Sequence, residues 1–229
     1  GEAVAFLEAH RDEPFFLLFS HFAVHTPIQA PKDVAHRVRE RKDRDFSTYD
    51  RYHTEYVAMI ETVDASVGRL VAALDALDLA DETFIFFTSD NGGLGRFSEM
   101  QPLRGEKGTL YEGGIRVPLC ATGPGIAAGG QSDVAVHGID LFPTICTIAG
   151  VDLETVVPHP DLDGVNLLGL LTGAAATLER EALYWHFPAY LERTSYSTGP
   201  WRTTPCSAIR AGPHKLIEYF EDGRVELYD

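Results

Sequence analysis

The stretch that decides the fold is Phe84-Ile85-Phe86-Phe87-Thr88-Ser89-Asp90-Asn91-Gly92-Gly93. Its first five residues are mostly apolar and β-favouring, which predicts a buried strand at the centre of a sheet. The residues that follow combine side-chain oxygens with glycines that permit a tight turn. In open α/β sheets, ligands bind beyond the carboxyl ends of the strands. We therefore expect Asp90 and Asn91 to project into a functional site.

The segment Leu103–Pro118 comes next, with the sequence LRGEKGTLYEGGIRVP, and leads into a strand predicted at 117–121. Glycines punctuate this cationic loop, and Gly105 and Gly108 flank Lys107 so that the backbone can approach a ligand closely. The carboxylate and amide upstream are hard oxygen ligands, which suit calcium or magnesium, and a lysine suits an anionic substrate. From spacing alone, an Asx turn at the strand end and a solvated surface lysine remain open alternatives.

The first part of the chain predicts helices and a second central strand. Residues 1–10 have helical spacing, and Phe15–Ser20 is apolar almost throughout, as a strand at a sheet centre requires. Lys32–Asp45 is highly charged, which predicts a solvated loop or a surface helix. Tyr49–Leu77 repeats apolar residues at steps of three and four, which predicts a long amphipathic helix before the Phe84 strand. Helix followed by central strand, twice over, predicts an α/β fold with a mixed, mostly parallel sheet flanked by helices.

The last third of the chain changes character. A helix is predicted over Asp140–Ala149, with its first residue as the N-cap. Val151–Asp163 is rich in proline and aspartate and marks a lobe boundary, so we predict two domains, residues 1–155 and residues 156–229. The second domain carries a hairpin signal at Glu221-Asp222-Gly223 and short strands that would form a small antiparallel sheet. The predicted strands are 182–187, 207–211, 215–220 and 224–228.

Composition excludes some classes of function. The 229 residues carry 19 lysines and arginines against 34 aspartates and glutamates, so the net charge is −15. Nucleic-acid binding needs clustered cations, so no nucleic-acid partner is expected. No apolar run reaches the roughly 18 to 20 residues that span a bilayer, so no membrane span is predicted. The three cysteines form no C-x-x-C pair, which favours three buried thiols over a metal site.

Two long motifs carry a resemblance to a known family. Thr88–Gly93 followed by Gly105–Pro118 closely resembles the type I sulfatases of the alkaline phosphatase superfamily, and His25-Thr26-Pro27 after the first apolar run is a further hallmark. The resemblance extends from about Phe15 to the end of the chain. It implies the alkaline phosphatase/sulfatase-like fold, incomplete, followed by a small antiparallel C-terminal sheet. The family's nucleophile motif, C-x-P-S-R or S-x-P-S-R, is not in this sequence, so we expect the chain to be the C-terminal portion of such an enzyme.

The resemblance also implies roles for individual residues. Asp90 and Asn91 would hold one calcium ion, whose ligand set would be completed by aspartates outside this chain. Lys107 would bind the sulfate where charge develops. His25 would contact the sulfate and donate a proton to the leaving alkoxide, with His21 as a weaker competitor. A formylglycine in the N-terminal part of the intact enzyme would supply the nucleophile, and inorganic sulfate would be released.

Other residues keep two interpretations. Arg104 and Arg116 are weaker sulfate contacts and are expected to pair with carboxylates such as Glu106 or Glu112. Four aromatic or histidine side chains could contact substrate or simply pack in the core. They are His137, Trp185, His186 and Tyr190.

Two alternative functions stay open. One is a phosphonate or phosphate ester hydrolase of the same superfamily, although its zinc-dependent members carry Asp-His where this chain carries Asp90-Asn91. The other is a non-catalytic module that retains the scaffold. For the sulfatase, the expected substrate is a small-molecule or glycan sulfate ester, and the resemblance favours a periplasmic or secreted location for the intact protein. The reading frame upstream of Gly1 would separate these hypotheses.

Overall fold

The chain folds into two compact units, Gly1–Thr83 and Phe84–Asp229. The computed structural model describes residues 1–41, 51–156, 162–194, 197 and 199–229. Parts of the predicted segments Lys32–Asp45, Tyr49–Leu77 and Val151–Asp163 lie outside the described residues. The domain boundary that the sequence suggests after residue 155 stays a prediction.

Helices build the first unit. The highly charged segment forms a helix, α2 (Lys32–Arg39), which packs against the long helix α3 (Arg51–Ala76) through Ala35, Val38 and Ala58, and these three residues form a small buried core. The long amphipathic helix is confirmed over the described part of its predicted range. No helix in the described ranges combines the length and the apolar character that crossing a membrane requires. The helices are α1 (Glu2–Ala9), α2 (Lys32–Arg39) and α3 (Arg51–Ala76), followed by a 3-10 turn at Ala80–Glu82.

The prediction of a central strand at Phe15–Ser20 is wrong. The segment joins no ladder among the described residues. Phe16 and Leu18 are 66% and 80% exposed, so their side chains are not in a core. An apolar run favours a strand only when a neighbour accepts its backbone hydrogen bonds, and the described part of the chain supplies none for this segment.

The second unit opens with a two-stranded ladder. β1 (Ile85–Thr88) pairs antiparallel with β2 (Leu119–Thr122), with Phe87 opposite Cys120. The strands predicted at Phe84–Thr88 and 117–121 are thereby confirmed, but the burial predicted for the first strand is wrong, since Ile85 and Phe86 are only partly buried and Phe87 is exposed. The sequence favoured mostly parallel pairing, whereas every ladder among the described residues is antiparallel. Parallel pairing needs a second central strand, and the segment predicted for that role forms no ladder.

A four-stranded antiparallel sheet confirms the predicted C-terminal sheet. Its strand order is β3 (Leu183–Phe187), β6 (Cys206–Ala211), β7 (His214–Tyr219), β8 (Val225–Tyr228). The buried centre of the sheet is formed by Cys206, Ala208, Ile217 and Tyr219. Gly223 closes the predicted hairpin with a φ of 68°, a left-handed value that favours glycine. The strands are β3 (Leu183–Phe187), β4 (Leu191–Glu192), β5 (Trp201–Thr203), β6 (Cys206–Ala211), β7 (His214–Tyr219) and β8 (Val225–Tyr228), with β4 and β5 forming a separate pair. The helices are α4 (Glu112–Ile115), α5 (Leu141–Ile148), α6 (Leu153–Val156) and α7 (Leu168–Leu171), with a 3-10 turn at Gly138–Asp140.

The prediction that all three cysteines are buried is wrong. Cys206 is buried, Cys146 is partly buried and Cys120 is exposed, and all three are free thiols. Cys120 lies on β2, whose side chains alternate between partly buried and exposed positions. Period-two alternation therefore places this cysteine on the open face of the ladder.

A buried ion pair fixes the start of α5. Asp140 precedes the helix as predicted, but its carboxylate makes no N-cap bond to α5. It accepts hydrogen bonds from Arg180 at 2.6 Å and 2.9 Å, from the Val165 N–H at 2.9 Å and from the His137 N–H at 2.7 Å. Burial alone would raise the pKa of this carboxyl, but these hydrogen bonds outweigh it and hold the pKa below its ordinary value. The aspartate therefore clamps three separate segments of the second unit.

Replacing Asp140 by asparagine should lower the free energy of unfolding by roughly 3–5 kcal/mol at neutral pH, because the charge of Arg180 stays buried without its partner. A folded-state pKa below the ordinary 3.8 stabilises the protein above that pH, and the contribution is lost as the pH falls through the folded-state pKa. Urea unfolding between neutral pH and pH values below 3.8 checks both expectations. The exposed Asp222→Asn is the matched control and should change stability by less than about 0.5 kcal/mol. An unchanged pH profile in Asp140→Asn would contradict this account.

Candidate active site

β1 delivers the two predicted metal ligands to a turn. The strand ends at Thr88, and the Ser89 hydroxyl donates to the Asn91 carbonyl at 3.1 Å. The Asn91 side-chain NH₂ donates to the Gly92 carbonyl at 2.9 Å, so its amide oxygen is directed elsewhere. The Asp90 side chain is exposed and has no hydrogen-bond partner among the described residues. One carboxylate and one amide oxygen are thus available at the end of β1.

Glycines bring this turn against the next loop. The Gly92 N–H donates to the Gly114 carbonyl at 2.9 Å. A Cβ at Gly92 would lie 1.9 Å from the Gly113 carbonyl oxygen, and a Cβ at Gly114 would lie 2.1 Å from the Thr109 carbonyl oxygen. No side chain fits at these distances, so the backbones pack directly on one another. The glycine-rich sequence is required by contact between protein segments.

Lys107 is held beside the Asp90 turn by its backbone. Its N–H donates to the Gly93 carbonyl at 2.9 Å. The neighbouring Glu106 carboxylate accepts from the Gly95 N–H at 2.6 Å and from the Thr194 hydroxyl at 2.9 Å. Gly93 follows Asn91 by two residues, a span of at most roughly 7 Å. The structure therefore brings three of the predicted site residues into one region of the second unit.

The lysine side chain itself is uncommitted. Lys107 is half-buried, and its ammonium group has no ion pair or hydrogen bond with any described residue. Gly105 and Gly108 on either side have φ values of 83° and 86°, so both need the left-handed freedom of glycine. A Cβ at Gly108 would lie 2.6 Å from Leu191 Cδ1. These glycines serve the turn and its packing, and they leave the Lys107 amine available to an anion.

Arg202 is a residue that the sequence patterns did not single out. Its Nη1 donates to the Lys107 carbonyl at 3.3 Å, and its side chain packs on the backbone of Gly108. Its Nε is buried and has no hydrogen-bond partner in the part of the chain that the structure describes. Nothing in the sequence signals this contact, because β5 is 95 residues from the lysine. Arg202 supports the backbone of the lysine loop and adds positive charge to it.

His25 and His21 belong to the first unit. His25 is exposed, and its Nδ1 lies 3.0 Å from the Thr26 carbonyl oxygen. A carbonyl can only accept, so Nδ1 carries a proton and Nε2 is left for other partners. The His21 ring meets the Phe19 ring edge to face, with centroids 4.6 Å apart, and its Nε2 is buried without a partner among the described residues. Both histidines therefore have one ring nitrogen not engaged by the first unit.

The two other candidate histidines have structural contacts. His137 Nδ1 accepts from the Ile139 N–H at 3.2 Å, and burial lowers the pKa of its imidazole. His186 Nδ1 lies 2.8 Å from the Ser207 hydroxyl on the neighbouring strand. Trp185 packs partly buried against the core of the C-terminal sheet, whereas Tyr190 is exposed and its ring centroid lies 5.2 Å from that of Trp201.

Arg104 and Arg116, the weaker candidates for sulfate contact, each lie near a carboxylate. Arg116 Nη1 lies 4.0 Å from Glu112, the partner that the sequence suggested. Arg104 contacts Glu226 at 3.8 Å and the Tyr228 hydroxyl, so its carboxylate is neither of the two suggested by the sequence. The reason is tertiary, because β8 brings Glu226 to a loop 122 positions away by difference of residue numbers.

The available donors fit a hard cation. Carboxylate and amide oxygens are ligands that calcium and magnesium take, and a calcium ion takes six to eight of them. Among the described residues, no group of three or more His, Cys, Asp or Glu side chains could hold a metal ion. Asp90 and Asn91 therefore fit part of such a ligand set.

Comparison with known proteins decides the family. The family model described as Sulfatase matches residues 2–151, which is more than half of the chain. The chain belongs to the sulfatase family. A second model, N-sulphoglucosamine sulphohydrolase, C-terminal, matches residues 105–229. The predicted resemblance is thereby confirmed.

Individual relatives agree with this assignment. A sulfatase of Formosa agariphila is 33% identical over 95% of this chain and 40% of its own length. Human arylsulfatase H is 31% identical over 99% of this chain and 38% of its own. This sulfatase chain thus spans well under half of the relatives that it matches.

Solved structures confirm the fold class. The crystal structure of Ps i-CgsB superposes with a TM-score of 0.80 and 28% identity, over 99% of this chain and 46% of its own. The neighbouring structures have the alkaline phosphatase-like α/β fold of sulfatases. The two-stranded ladder and the C-terminal sheet described above are parts of that architecture.

Replacing Gly92 by alanine should destabilise the sulfatase chain by about 1–3 kcal/mol, because the new Cβ meets a backbone oxygen that cannot move independently. The matched control is Gly68→Ala in the middle of α3, where no atom lies within 4 Å of the new Cβ. That variant should be stabilised by about 0.5–1 kcal/mol through helix propensity. Chemical denaturation of both variants makes the comparison, and equal stabilities would argue against the backbone contact.

Proposed function

We propose that the intact protein is a sulfatase, a hydrolase that releases inorganic sulfate from an organic sulfate ester. One observation carries the proposal. The Lys107 N–H is bonded to the Gly93 carbonyl, so the residue with an uncommitted ammonium group lies next to the turn that carries the uncommitted Asp90 carboxylate and Asn91 amide oxygen. A hard-cation site next to a cation is an arrangement suited to a dianionic or monoanionic ester.

Asp90 and Asn91 would hold a calcium ion together with ligands from outside this chain. The fit rests on their oxygen donors, which are the hard ligands of that ion. When bound, the ion would supply positive charge next to the sulfate oxygens. A formylglycine in the N-terminal part of the enzyme would supply the nucleophile. The residues of this chain bind and orient the ester.

Lys107 would bind a sulfate oxygen and stabilise the charge that develops during the reaction. Two features support this role. The Lys107 N–H is bonded to Gly93 and its carbonyl to Arg202. These two bonds fix the backbone from which the side chain extends and so restrict the positions that its ammonium group can reach. Its ammonium group meets no carboxylate among the described residues, so no internal ion pair has to be broken on binding.

His25 would contact the sulfate and protonate the leaving oxygen. Its Nδ1 is occupied by the Thr26 carbonyl, so the proton must be delivered from Nε2. In this tautomer Nε2 carries a proton only when the ring is an imidazolium ion. His25 would therefore act as a cationic acid, and its charge would also favour sulfate binding.

Phosphonate hydrolysis has weaker support. The structure of the phosphonate monoester hydrolase from Silicibacter pomeroyi has a TM-score of 0.59 at 21% identity, a likeness of fold alone. The sequence relatives reported above are sulfatases, and their identity exceeds 30%. We therefore retain sulfate esters as the substrate class and treat phosphonates as the comparison substrate.

Glycan sulfates are the substrate type that solved neighbours favour. The structure of BT4656, which is 30% identical over 79% of this chain, is a complex with its substrate D-glucosamine-2-N,6-O-disulfate. Ps i-CgsB has been solved with k-i-k-neocarrahexaose. Both ligands are described for those proteins. We propose a sulfated saccharide for this one, to be compared with aryl sulfates.

Lys107→Ala and His25→Ala should damage different steps in the intact enzyme. Loss of the lysine should raise KM and lower kcat by roughly 10²–10³-fold for every sulfate ester, because its charge is needed by all of them. Loss of the histidine should cost roughly 10²-fold or more in kcat/KM for poor leaving groups and much less for nitrophenyl sulfate. The measurement is kcat/KM across sulfates of rising leaving-group pKa.

Lys32→Ala and His36→Ala, at exposed positions of α2, are the matched controls, and both should retain the activity of the wild type. A flat ratio to the wild type across the series would remove His25 from the proton-donor role. Faster hydrolysis of matched phosphonate monoesters than of sulfate esters by the wild-type enzyme would replace the proposed reaction.

Asp90→Ala should weaken calcium binding by the intact enzyme at least about tenfold, since it removes the one carboxylate in the pair. Titration calorimetry gives the affinity directly, and the calcium-dependent shift in Tm gives an independent readout that needs no activity. The exposed Asp133→Ala should bind calcium as the wild type does. Equal affinity in Asp90→Ala would show that the ligand set lies elsewhere.

A further inference from the structure

In the second unit, a cluster of cationic side chains that does not include Lys107 surrounds a cavity of about 290 Å³. Four cationic side chains line it against the carboxylates of Glu112 and Asp229, and Glu226 contacts Arg104 at 3.8 Å from outside the lining, which leaves an excess of one positive charge. The chain as a whole has a net charge of −15, so this excess is local. The four cations are Arg104, Arg116, Arg210 and Lys215.

One carboxylate serves three of these cations. Glu112 accepts from Lys215 Nζ at 2.9 Å, and it lies 3.8 Å from Arg210 Nη1 and 4.0 Å from Arg116 Nη1. A single negative charge cannot neutralise three positive ones. Only Lys215 is held at hydrogen-bond distance, so the two guanidinium groups keep most of their donors for another acceptor.

Burial strengthens the need for an anion. The Lys215 side chain is only 7% exposed, and its ammonium lies 5.5 Å from the centre of the Trp185 ring. Burial lowers the pKa of Lys215, while the hydrogen bond to Glu112 works in the opposite direction. A further anion in the cavity would stabilise the charged ammonium in these surroundings.

Arg104, the fourth cation, lies on a different wall of the cavity. Arg104 lies over the Tyr111 ring at 4.3 Å and over the Tyr228 ring at 5.6 Å, and it contacts Glu226 at 3.8 Å. These rings fix the guanidinium plane at the cavity and add apolar walls. Cavities for drug-sized ligands run from roughly 300 to 1,000 Å³, so this one suits a single acidic group or a group about the size of one sugar ring.

A neighbouring cavity connects this cluster with the lysine loop. It has a volume of about 480 Å³ and is lined by the segment between Gly95 and Gly105. It shares Pro102, Leu103 and Arg104 with the cationic cavity. At its other end, the Gly95 N–H is bonded to Glu106, the residue before Lys107.

We propose that the cavity lined by Arg104, Arg116, Arg210 and Lys215 binds a second oxyanion group, a carboxylate or a sulfate, separate from the ester group at Lys107. The shared Arg104 wall makes an acidic substituent of the same substrate the favoured source. That assignment rests on the proposed sulfatase function, whereas anion binding by the cavity does not. The site would select substrates with two acidic groups over substrates with one.

Calorimetry tests the cavity without any activity. Sodium sulfate is titrated into the Lys107→Ala protein, at constant ionic strength set by chloride, so that the proposed catalytic subsite and general screening do not contribute. Arg210→Gln and Arg104→Gln, each added to that background, should weaken sulfate binding by about tenfold or more, because each removes a charge-assisted hydrogen bond. Arg69→Gln, an exposed change on α3, is the matched control. No sulfate binding in the Lys107→Ala protein, or equal binding in all variants, would overturn the proposal.

Kinetics then identifies the source of the anion. In the otherwise unaltered enzyme, Arg210→Gln should raise KM for a disulfated or carboxylated saccharide sulfate at least about tenfold more than KM for nitrophenyl sulfate. A difference of that size assigns the cavity to the substrate. Equal effects on both substrates, with sulfate binding lost in calorimetry, assign it to a free inorganic anion. If no sulfate ester is hydrolysed at all, the proposed function fails while the calorimetric result still decides the cavity.

Thermal unfolding shows whether a variant loses sulfate binding only because it no longer folds. Arg104 and Arg210 lie on different walls and are 61% and 31% exposed, so neither substitution should unfold the protein. Both variants must keep the Tm of their background within a few degrees for the binding data to count. If one fails this criterion, the other carries the test.

Discussion

Direct contact between backbones holds the candidate site together. The turn after β1, the lysine loop and α4 meet through the bonds from Lys107 to Gly93 and from Gly92 to Gly114. These bonds form only because the glycines have no Cβ. A Cβ at Gly92 or Gly114 would lie 1.9 Å or 2.1 Å from a backbone oxygen of the adjoining segment. The position of the lysine relative to the oxygen donors is therefore set by peptide groups, which have few degrees of freedom. Flexible side chains provide only the chemistry.

The C-terminal sheet supports this arrangement from the outside. Tyr111, at the end of the lysine loop, donates to Glu226 at 2.8 Å and accepts from the Tyr219 hydroxyl at 2.9 Å. Burial raises the pKa of Tyr111, so it stays neutral and keeps both bonds. Lys215 on β7 reaches Glu112 on α4. The small sheet is thus a structural part of the site, although it supplies none of the residues that the family resemblance assigns to it.

Charge is distributed to match this architecture. The protein is strongly acidic, which keeps anions away from most of its surface. Cations without full compensation occur where the lysine loop meets the C-terminal strands, at Lys107 and in the cluster around Glu112. Local positive potential in an acidic protein favours a bound, oriented anion over non-specific attraction. In the proposed two-anion arrangement, substrate specificity would depend on the spacing between the two cationic regions.

The sequence alone determined the local elements and the family. The glycine spacing and the run from Thr88 to Gly93 predicted the turn, the loop and the residues proposed for metal and anion binding, because those predictions depend on neighbouring residues in the chain. Helix α3 and the C-terminal strands followed from periodicity for the same reason. The sequence also favoured a strand at Phe15–Ser20 and burial of Cys120, and neither is observed.

Only the tertiary structure decided which distant residues meet. Arg202 touches the carbonyl of Lys107, Arg104 pairs with Glu226, and Glu112 contacts Arg210 on β6 and Lys215 on β7. No local pattern encodes these contacts, because each joins segments whose separation in sequence has no fixed relation to their separation in space. A strand prediction fails for a related reason, since an apolar run specifies a tendency whereas a ladder needs a partner. The order of residues determines the local elements and the side chains they carry, whereas tertiary packing determines which of those side chains come into contact.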